Sequence, residues 1–338
     1  MRPTTLCRVA IGAFFAILTA SAGDAGAQAP RVLKLGHVLA VDHPYQEGSV
    51  KLAELVAAKT NGRIRIEVYP NAQLGGERDM VEGLQIGTVD LVLTAPGIAA
   101  SIANERKVFL FDQPYLFTDY DTLSRVLESD IADETVKNYP KHGFRNIGWY
   151  IAGFHQLTNS KRPIVKPEDL KGLKMRMWQS KSAVQMMEAM GATVVPMSFP
   201  EVYTSLQQGV IDGFANSLAT IYATKMFEVQ KYVSLTNHMA TTMNMLIAER
   251  AYQSLSPADR KAVEDAGVEA ARFQRNLYKA SDEKSLKLLR EKNITINANV
   301  DVAAFRKQVE PSREKFVELV NEPGARELQA RLLKAAGL

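Results

Sequence analysis

Residues 172–218 read GLKMRMWQSKSAVQMMEAMGATVVPMSFPEVYTSLQQGVIDGFANSL, and the succession of patterns in this stretch decides the fold. Leu173, Met175 and Met177 alternate with Lys174, Arg176 and Trp178, the period-2 signature of a strand. A helix is expected next, with Ser182 as N-cap, Val184, Met186, Met187 and Met190 as its apolar stripe, and Gly191 as a left-handed stop. Residues 193–197 then form a short apolar strand. Ser198 caps a second helix with Pro200 and Glu201 in its first turn, Gly209 closes it, and residues 210–214 are a third strand. This is a β-α-β-α-β unit. Right-handed crossovers make its strands parallel, so Arg176 and Asn216 emerge together at the carboxyl edge, where open α/β sheets bind ligands. A guanidinium there can grip a carboxylate with two parallel hydrogen bonds. It can equally pair with a neighbouring acid, as surface arginines commonly do, and the sequence leaves both roles open.

Towards the N-terminus the same order recurs. Residues 32–38 read as a strand, 46–59 as an amphipathic helix, Asn61-Gly62 as a turn, 64–68 as an alternating strand, 77–86 as a helix and 89–94 as a buried strand. The letters repeat too: Leu84-Gln85-Ile86-Gly87-Thr88-Val89-Asp90 matches Leu206-Gln207-Gln208-Gly209-Val210-Ile211-Asp212 as L-Q-x-G-x-[V/I]-D at a helix-to-strand turn. Two similar α/β lobes follow, linked through the aromatic-rich segments 109–117 and 147–151. A further strand is expected at 241–248. Ser256-Pro257 then opens a helix that persists over 258–290, about 50 Å at ~1.5 Å per residue, long enough to span both lobes. The tail from Val302 adds one or two helices, broken at Pro311 and Pro323. The expected division is 1–27 as export signal, 28–152 plus 241–280 as lobe I, and 153–240 plus 281–338 as lobe II.

Residues 1–27 have the layout of a cleavable secretory signal: Arg2 and Arg8, an apolar run over 9–22, and the small residues Ala25-Gly26-Ala27. An apolar run of about 14 residues is short of the ~20 that span a bilayer. The single cysteine, Cys7, would leave with the signal, which excludes disulfides, a cysteine nucleophile and thiolate metal sites from the exported protein. The 41 basic and 37 acidic residues are interspersed and give a net charge of +4, so no nucleic-acid footprint is present.

Catalytic motifs are missing. The chain has no G-x-S-x-G, H-E-x-x-H, P-loop or G-x-G-x-x-G, and none of its five histidines pairs with another at i, i+4. Neither a metal nor a cofactor is expected. Asp90 and Asp212 follow helix-ending glycines at matching places, which points to a job within the turns. Glu201 in a helix first turn is explained by the helix dipole.

Together these pieces resemble the DctP-like extracytoplasmic solute-binding proteins of tripartite ATP-independent periplasmic (TRAP) transporters. The resemblance covers nearly the whole chain after residue 27. It rests on Pro167-Glu168-Asp169-Leu170-Lys171-Gly172-Leu173-Lys174-Met175-Arg176, on Gly191-Ala192 leading to Pro196-Met197, on Glu201-Val202-Tyr203 with Leu206-Gln207 and Gly209, and on Asp212-Gly213 with Asn216. Tyr69-Pro70, Gln73-Leu74-Gly75, residues 227–232 and Asn237-His238 agree as well. The resemblance implies a two-lobed periplasmic binding protein that closes on a small organic acid, with Arg176 holding its carboxylate and Asn216 beside it. It implies delivery to membrane permease subunits, no ATP and no cofactor. The chain is expected to act as a monomer in the periplasm.

Two departures narrow what carries over. Where many relatives have a second arginine after the crossover glycine, this chain reads Gly153-Phe154-His155, and where many read D-G-x-E-N it reads Asp212-Gly213-Phe214-Ala215-Asn216. A sialic acid ligand is therefore not expected. His155 in the cleft would make affinity vary near neutral pH; as a hydrogen-bonded interlobe histidine it would not. Trp178 can stack on the ligand or pack in the core. Ala95 and Pro96 would form a small-residue wall opposite Arg176, and His37, Thr94, Gln179 and Phe199 complete the cleft candidates. A sugar acid or small hydroxy acid is the first expectation for the ligand. The rival readings are a receptor for an ATP-driven importer or sensor, and a secreted α/β hydrolase or lyase.

Overall fold

The structure, a computed structural model, describes Met1 and residues 29–338. The rest of the expected export signal, with Cys7, lies outside the described residues.

The N-terminal unit runs β1 (Arg31–Gly36), α1 (Pro44–Lys59), β2 (Ile64–Tyr69), α2 (Glu77–Ile86) and β3 (Leu91–Thr94). Next come α3 (Pro96–Ala103), a 3-10 segment at Lys107–Asp112, α4 (Tyr120–Leu127), α5 (Asp130–Val136) and the long β4 (Phe144–Asn159). The stretch 172–218 forms β5 (Lys174–Met177), α6 (Lys181–Met190), β6 (Thr193–Pro196), α7 (Val202–Gln207) and β7 (Gly213–Asn216). The chain continues through α8 (Leu218–Ala223), β8 (Tyr232–Ala248), α9 (Glu249–Gln253), α10 (Pro257–Arg290), β9 (Thr295–Asn297), α11 (Val302–Val309), α12 (Ser312–Val320) and α13 (Ala325–Ala335).

Among the described residues nine strands form one sheet in the order β2-β1-β3-β8-β4-β7-β5-β6, with β9 added to β8. The letter repeat is a repeat of topology. β1 lies between β2 and β3 and parallel to both, as β5 lies between β6 and β7. The two matching aspartates do the same work: Asp90 accepts from the Lys34 N–H at 3.0 Å and Asp212 from the Lys174 N–H at 2.9 Å, each pinning its turn to the neighbouring strand.

The antiparallel pair β4 and β8 joins the two halves. Residues 144–151 of β4 pair with 242–248 of β8 beside β3, and residues 154–159 pair with 232–240 beside β7. Between them the register shifts, and Gly153 takes φ +74°. A Cβ there would also sit 2.6 Å from the Tyr278 ring and 2.7 Å from the Asp282 carboxylate, so only glycine fits this kink. Tyr278 and Asp282 belong to α10, whose 34 residues span about 51 Å. It packs on α1 and β4 at one end and on α8 and β9 at the other. Its start is as the sequence indicates, with the Ser256 hydroxyl accepting from the Asp259 N–H at 3.1 Å and Pro257 in the first turn.

Several expectations need correcting. The second link between the halves is β8, which reaches back to Tyr232, and not the segment 109–117. Val108–Asp112 is buried on all sides in a 3-10 turn, so its aromatic run reflects burial and not strand alternation. The N-cap of α6 is Ser180; the Ser182 hydroxyl instead donates to the Asp112 carboxylate at 2.5 Å. A 3-10 turn at Phe199–Glu201 precedes α7, and the tail holds three helices, because Pro311 and Pro323 each fall in a gap between two of them.

Candidate functional site

A cavity with about 410 Å³ of empty space, counting its open mouth, lies where the carboxyl edges of both half-sheets face the β4–β8 kink. Each wall follows from the topology. Arg176 and Trp178 come from the end of β5, Asn216 from the end of β7 and Ala95 from the end of β3. Ala152 and His155 flank the Gly153 kink of β4, and Thr241 and Met243, two apart on β8, face the same way. Val38, Leu39 and Tyr45 line it from the segment around the start of α1, Thr220 from α8, and Glu77 and Phe199 from the first turns of their helices.

Arg176 is 3 % exposed. Its Nε and Nη2 both donate to the Met197 carbonyl, at 3.0 and 2.8 Å, and its Nη1 has no hydrogen-bond partner among the described residues. The Phe199 ring lies 5.6 Å from its Cζ. Burial lowers its pKa to about 10, against the pull of Glu77 and Glu201, so it remains a cation at neutral pH. A carbonyl orients it, which leaves its charge without a bonded counter-ion.

Glu77, the first residue of α2, is the charged group the sequence reading passed over. Its carboxylate accepts from the Thr94 hydroxyl at 3.0 Å and the Ala95 N–H at 2.8 Å. Burial raises its pKa, while those two bonds and Arg176 act the other way. An acid at a helix N-terminus is so ordinary that no sequence signal set it apart. Asn216 spends its Oδ1 on the Ser217 N–H at 2.9 Å, which leaves its amide N–H groups for the cavity. Beneath Thr220, the Tyr278 hydroxyl meets Ser217 at 2.8 Å, Thr220 at 3.2 Å and His43 at 3.3 Å, tying α10 and the start of α1 to the floor.

The structure brings together Arg176, Asn216, His155, Trp178, Ala95 and Phe199. The remaining candidates stand apart from the cavity. His37 spends its ring on Gln46 at 2.8 Å and the Leu39 N–H at 3.3 Å, holding the turn before α1. Thr94 supports Glu77, Pro96 opens α3, and Gln179 is exposed beside Arg78 in an adjoining recess. Sequence reading does not single out Val38, Leu39, Tyr45, Glu77, Ala152, Thr220, Thr241 or Met243; the last two reach the cavity through the long-range pairing of β8. Of the two roles left open for His155, variation of charge near neutral pH is not favoured: burial first, then His238 and Arg176, hold its pKa well below the ordinary value. Among the described residues no group of His, Cys, Asp and Glu side chains could hold a metal ion, and no helix is long and apolar enough to cross a membrane.

Comparison with known proteins agrees with this architecture. The family of bacterial extracellular solute-binding proteins, family 7 (DctP), matches residues 35–319. A C4-dicarboxylate-binding periplasmic protein of Rhodobacter capsulatus is 33 % identical over 268 residues, 79 % of each chain. A TRAP periplasmic solute-binding protein from Roseobacter denitrificans, solved with bound L-galactonate, is 33 % identical and superposes with a TM-score of 0.81 over 89 % of this chain and 98 % of that one. Another, from Bordetella bronchispeptica, with density assigned to pantoate, is 31 % identical with a TM-score of 0.83 over 88 % and 98 %. The chain belongs to the bacterial extracellular solute-binding proteins of family 7, the two-lobed solute receptors of TRAP transport.

Proposed function

We propose that this protein captures a small hydroxylated organic acid in the periplasm, with Arg176 as carboxylate anchor, and hands it to the permease subunits of a TRAP transporter. Members of the family are transport receptors and not enzymes. The observation that carries the anchor is the buried Arg176 itself, which lines the cavity and is held by one carbonyl, with Nη1 unspent among the described residues. A buried cation without a bonded counter-ion is costly, and a ligand carboxylate supplies one. Glu77 and Asn216 add an acceptor and donors for ligand hydroxyls. The ligands of the neighbours, L-galactonate and pantoate, are both hydroxylated monocarboxylates, which supports this class.

The division into lobes follows the same reasoning. Lobe I takes 28–152 and 241–280, lobe II takes 153–240 and 281–338, and the kinks of β4 and β8 form the hinge. The tail helices reach back across that boundary, α12 packing on both α6 and the Lys107–Asp112 segment and α13 on α4 and α5. Export by cleavage after Ala27 completes the proposal. A thermal-shift screen over organic acids tests it: an acid at a hundred times its Kd adds about 2.7 kcal/mol of apparent stability. A panel of sugar acids, hydroxy acids, oxo acids and dicarboxylates with no stabilising member would count against the receptor reading.

A further inference from the structure

The cavity lining carries polar atoms that the protein leaves unpartnered. Both ring nitrogens of His155, Nε1 of Trp178 and Oγ1 of Thr241 are buried without a hydrogen-bond partner among the described residues. All three side chains line the cavity. The His155 ring stands edge-on to Trp178, with centroids 5.8 Å apart and planes at 83°, and His238 backs it at 6.5 Å. Folded proteins pair the large majority of their buried polar groups. Four of the unpartnered atoms belong to side chains that line the cavity, where a partner can come from outside.

The donor and acceptor inventory says what kind of partner fits. The Trp178 indole only donates, Thr241 donates one bond and accepts others, and a neutral imidazole offers one N–H and one lone pair. A carboxylate could accept from Trp178, from Thr241 and from the N–H of a suitable His155 tautomer, so hydrogen bonding alone does not turn it away. It would, however, add negative charge to a cavity where, among the described residues, Arg176 is the one arginine or lysine on the walls and Glu77 already stands. A hydroxyl donates one bond and accepts two, which suits all three groups. The lining also includes Val38, Leu39, Ala95, Ala152 and Met243, whose side chains carry no nitrogen or oxygen to bond a ligand.

We infer that His155, Trp178 and Thr241 form a hydroxyl-recognition subsite that rejects a second carboxylate, so that the ligand is a short monocarboxylate bearing hydroxyl on a largely alkyl skeleton. The inference rests on the receptor reading above and makes it more specific: Arg176 decides that an acid binds, and His155 decides which.

The test compares acids matched in length, one end of which is either a primary alcohol or a carboxylate: 3-hydroxypropionate with malonate, 4-hydroxybutyrate with succinate, and 5-hydroxyvalerate with glutarate, alongside pantoate and galactonate. Calorimetry is expected to give the hydroxy acid at least tenfold tighter binding in the best-bound pair, and pantoate at least tenfold tighter binding than galactonate. A dicarboxylate that equals its partner overturns the subsite, and galactonate matching pantoate overturns the alkyl skeleton; in both cases the receptor reading survives. If every acid fails, the receptor reading falls and this inference with it. His155→Arg is expected to reverse the preference within the pair. His155→Gln, which keeps one donor and one acceptor, is expected to preserve it, and His155→Leu to lose at least tenfold for the hydroxy acid alone. Melting curves identify any variant that misfolds, and the Gln and Leu pair decides the matter without the buried arginine. Equal affinities in the wild type and His155→Leu would mean that water alone satisfies these atoms, which contradicts the proposal.

Discussion

Alanine at position 97 should act on closure and leave the fold alone. Gly97 is the second residue of α3, in the proposed lobe I, and its backbone φ lies outside the left-handed region. A Cβ built there would stand 2.2 Å from Ser180 Oγ, 2.9 Å from Ser180 Cβ and 3.2 Å from Ser182 Oγ, all in the proposed lobe II. Carbon contacts are comfortable near ~3.5 Å, so the two sides must part by roughly 1 Å. Overpacking of this kind costs about 1–3 kcal/mol, which corresponds to roughly 5- to 150-fold in affinity if it is felt only when the lobes are closed. In the open protein the same alanine should be neutral or favourable by about 0.5–1 kcal/mol, since it replaces glycine within a helix. Calorimetry on Gly97→Ala is therefore expected to show a loss of roughly 5- to 150-fold with an unchanged or higher melting temperature without ligand. Adding Ser180→Gly, which removes the nearest obstructing atoms, should restore binding. Unchanged affinity refutes the reasoning. So does a ligand-free stability that falls as far as the affinity does, because the contact would then belong to the permanent fold.

Acid should destabilise the protein well above the usual carboxylate range. Burial lowers the pKa of His37 to about 4 and of His238 to about 3, and holds His43 and His155 well below the ordinary value. The unfolded chain takes up these protons near pH 6.5 while the folded chain does not, so stability falls as pH drops from about 7 towards 4. Burial raises Asp112 to about 7 and Asp282 to about 6, and raises Glu77; these carboxyls oppose the histidines over much of that window. With four histidines set against three carboxyls, the unfolded chain should bind about one to two more protons near pH 5.5, a slope of about 1.4–3 kcal/mol per pH unit. Urea midpoints at pH 7.5, 6.5 and 5.5 check this, and a midpoint that rises on acidification contradicts it. Gly153→Ala combines a left-handed φ with contacts to Tyr278 and Asp282, so a loss of about 2–4 kcal/mol in chemical denaturation is expected. A loss under ~0.5 kcal/mol would show that β4 can straighten there.

Much of the fold is legible in the letters because half-buried strands and amphipathic helices carry their own periods. The β5-α6-β6-α7-β7 unit and its N-terminal counterpart could be read from alternation, caps and glycine stops. The extent of β4 and β8 could not. These strands are buried along most of their length, β8 without a break from His238 to Ala248, so no alternation marks where they begin or cross the hinge. The site divides in the same way. Arg176 and Asn216 were readable because strand ends in a parallel unit share one edge, whatever the rest of the chain does. Glu77 carries no local signal. Thr241 and Met243 reach the cavity only through the pairing of β8 with β3 and β4. His37 read like a cleft residue but is consumed by Gln46 and the Leu39 N–H, partners that only folding supplies.

Ligand capture as proposed stands on the carboxylate anchor, and titration of the best-stabilising acid into the wild type, Arg176→Lys and Arg176→Ala tests it most directly. Removing one half of a buried ion pair costs about 3–5 kcal/mol, so Arg176→Ala should bind at least a hundredfold more weakly. The lysine variant keeps the charge but loses the planar fork and its two bonds to the Met197 carbonyl, so it too should lose much of the affinity. Wild-type affinity in both variants, each folded by its melting curve, would contradict the anchor.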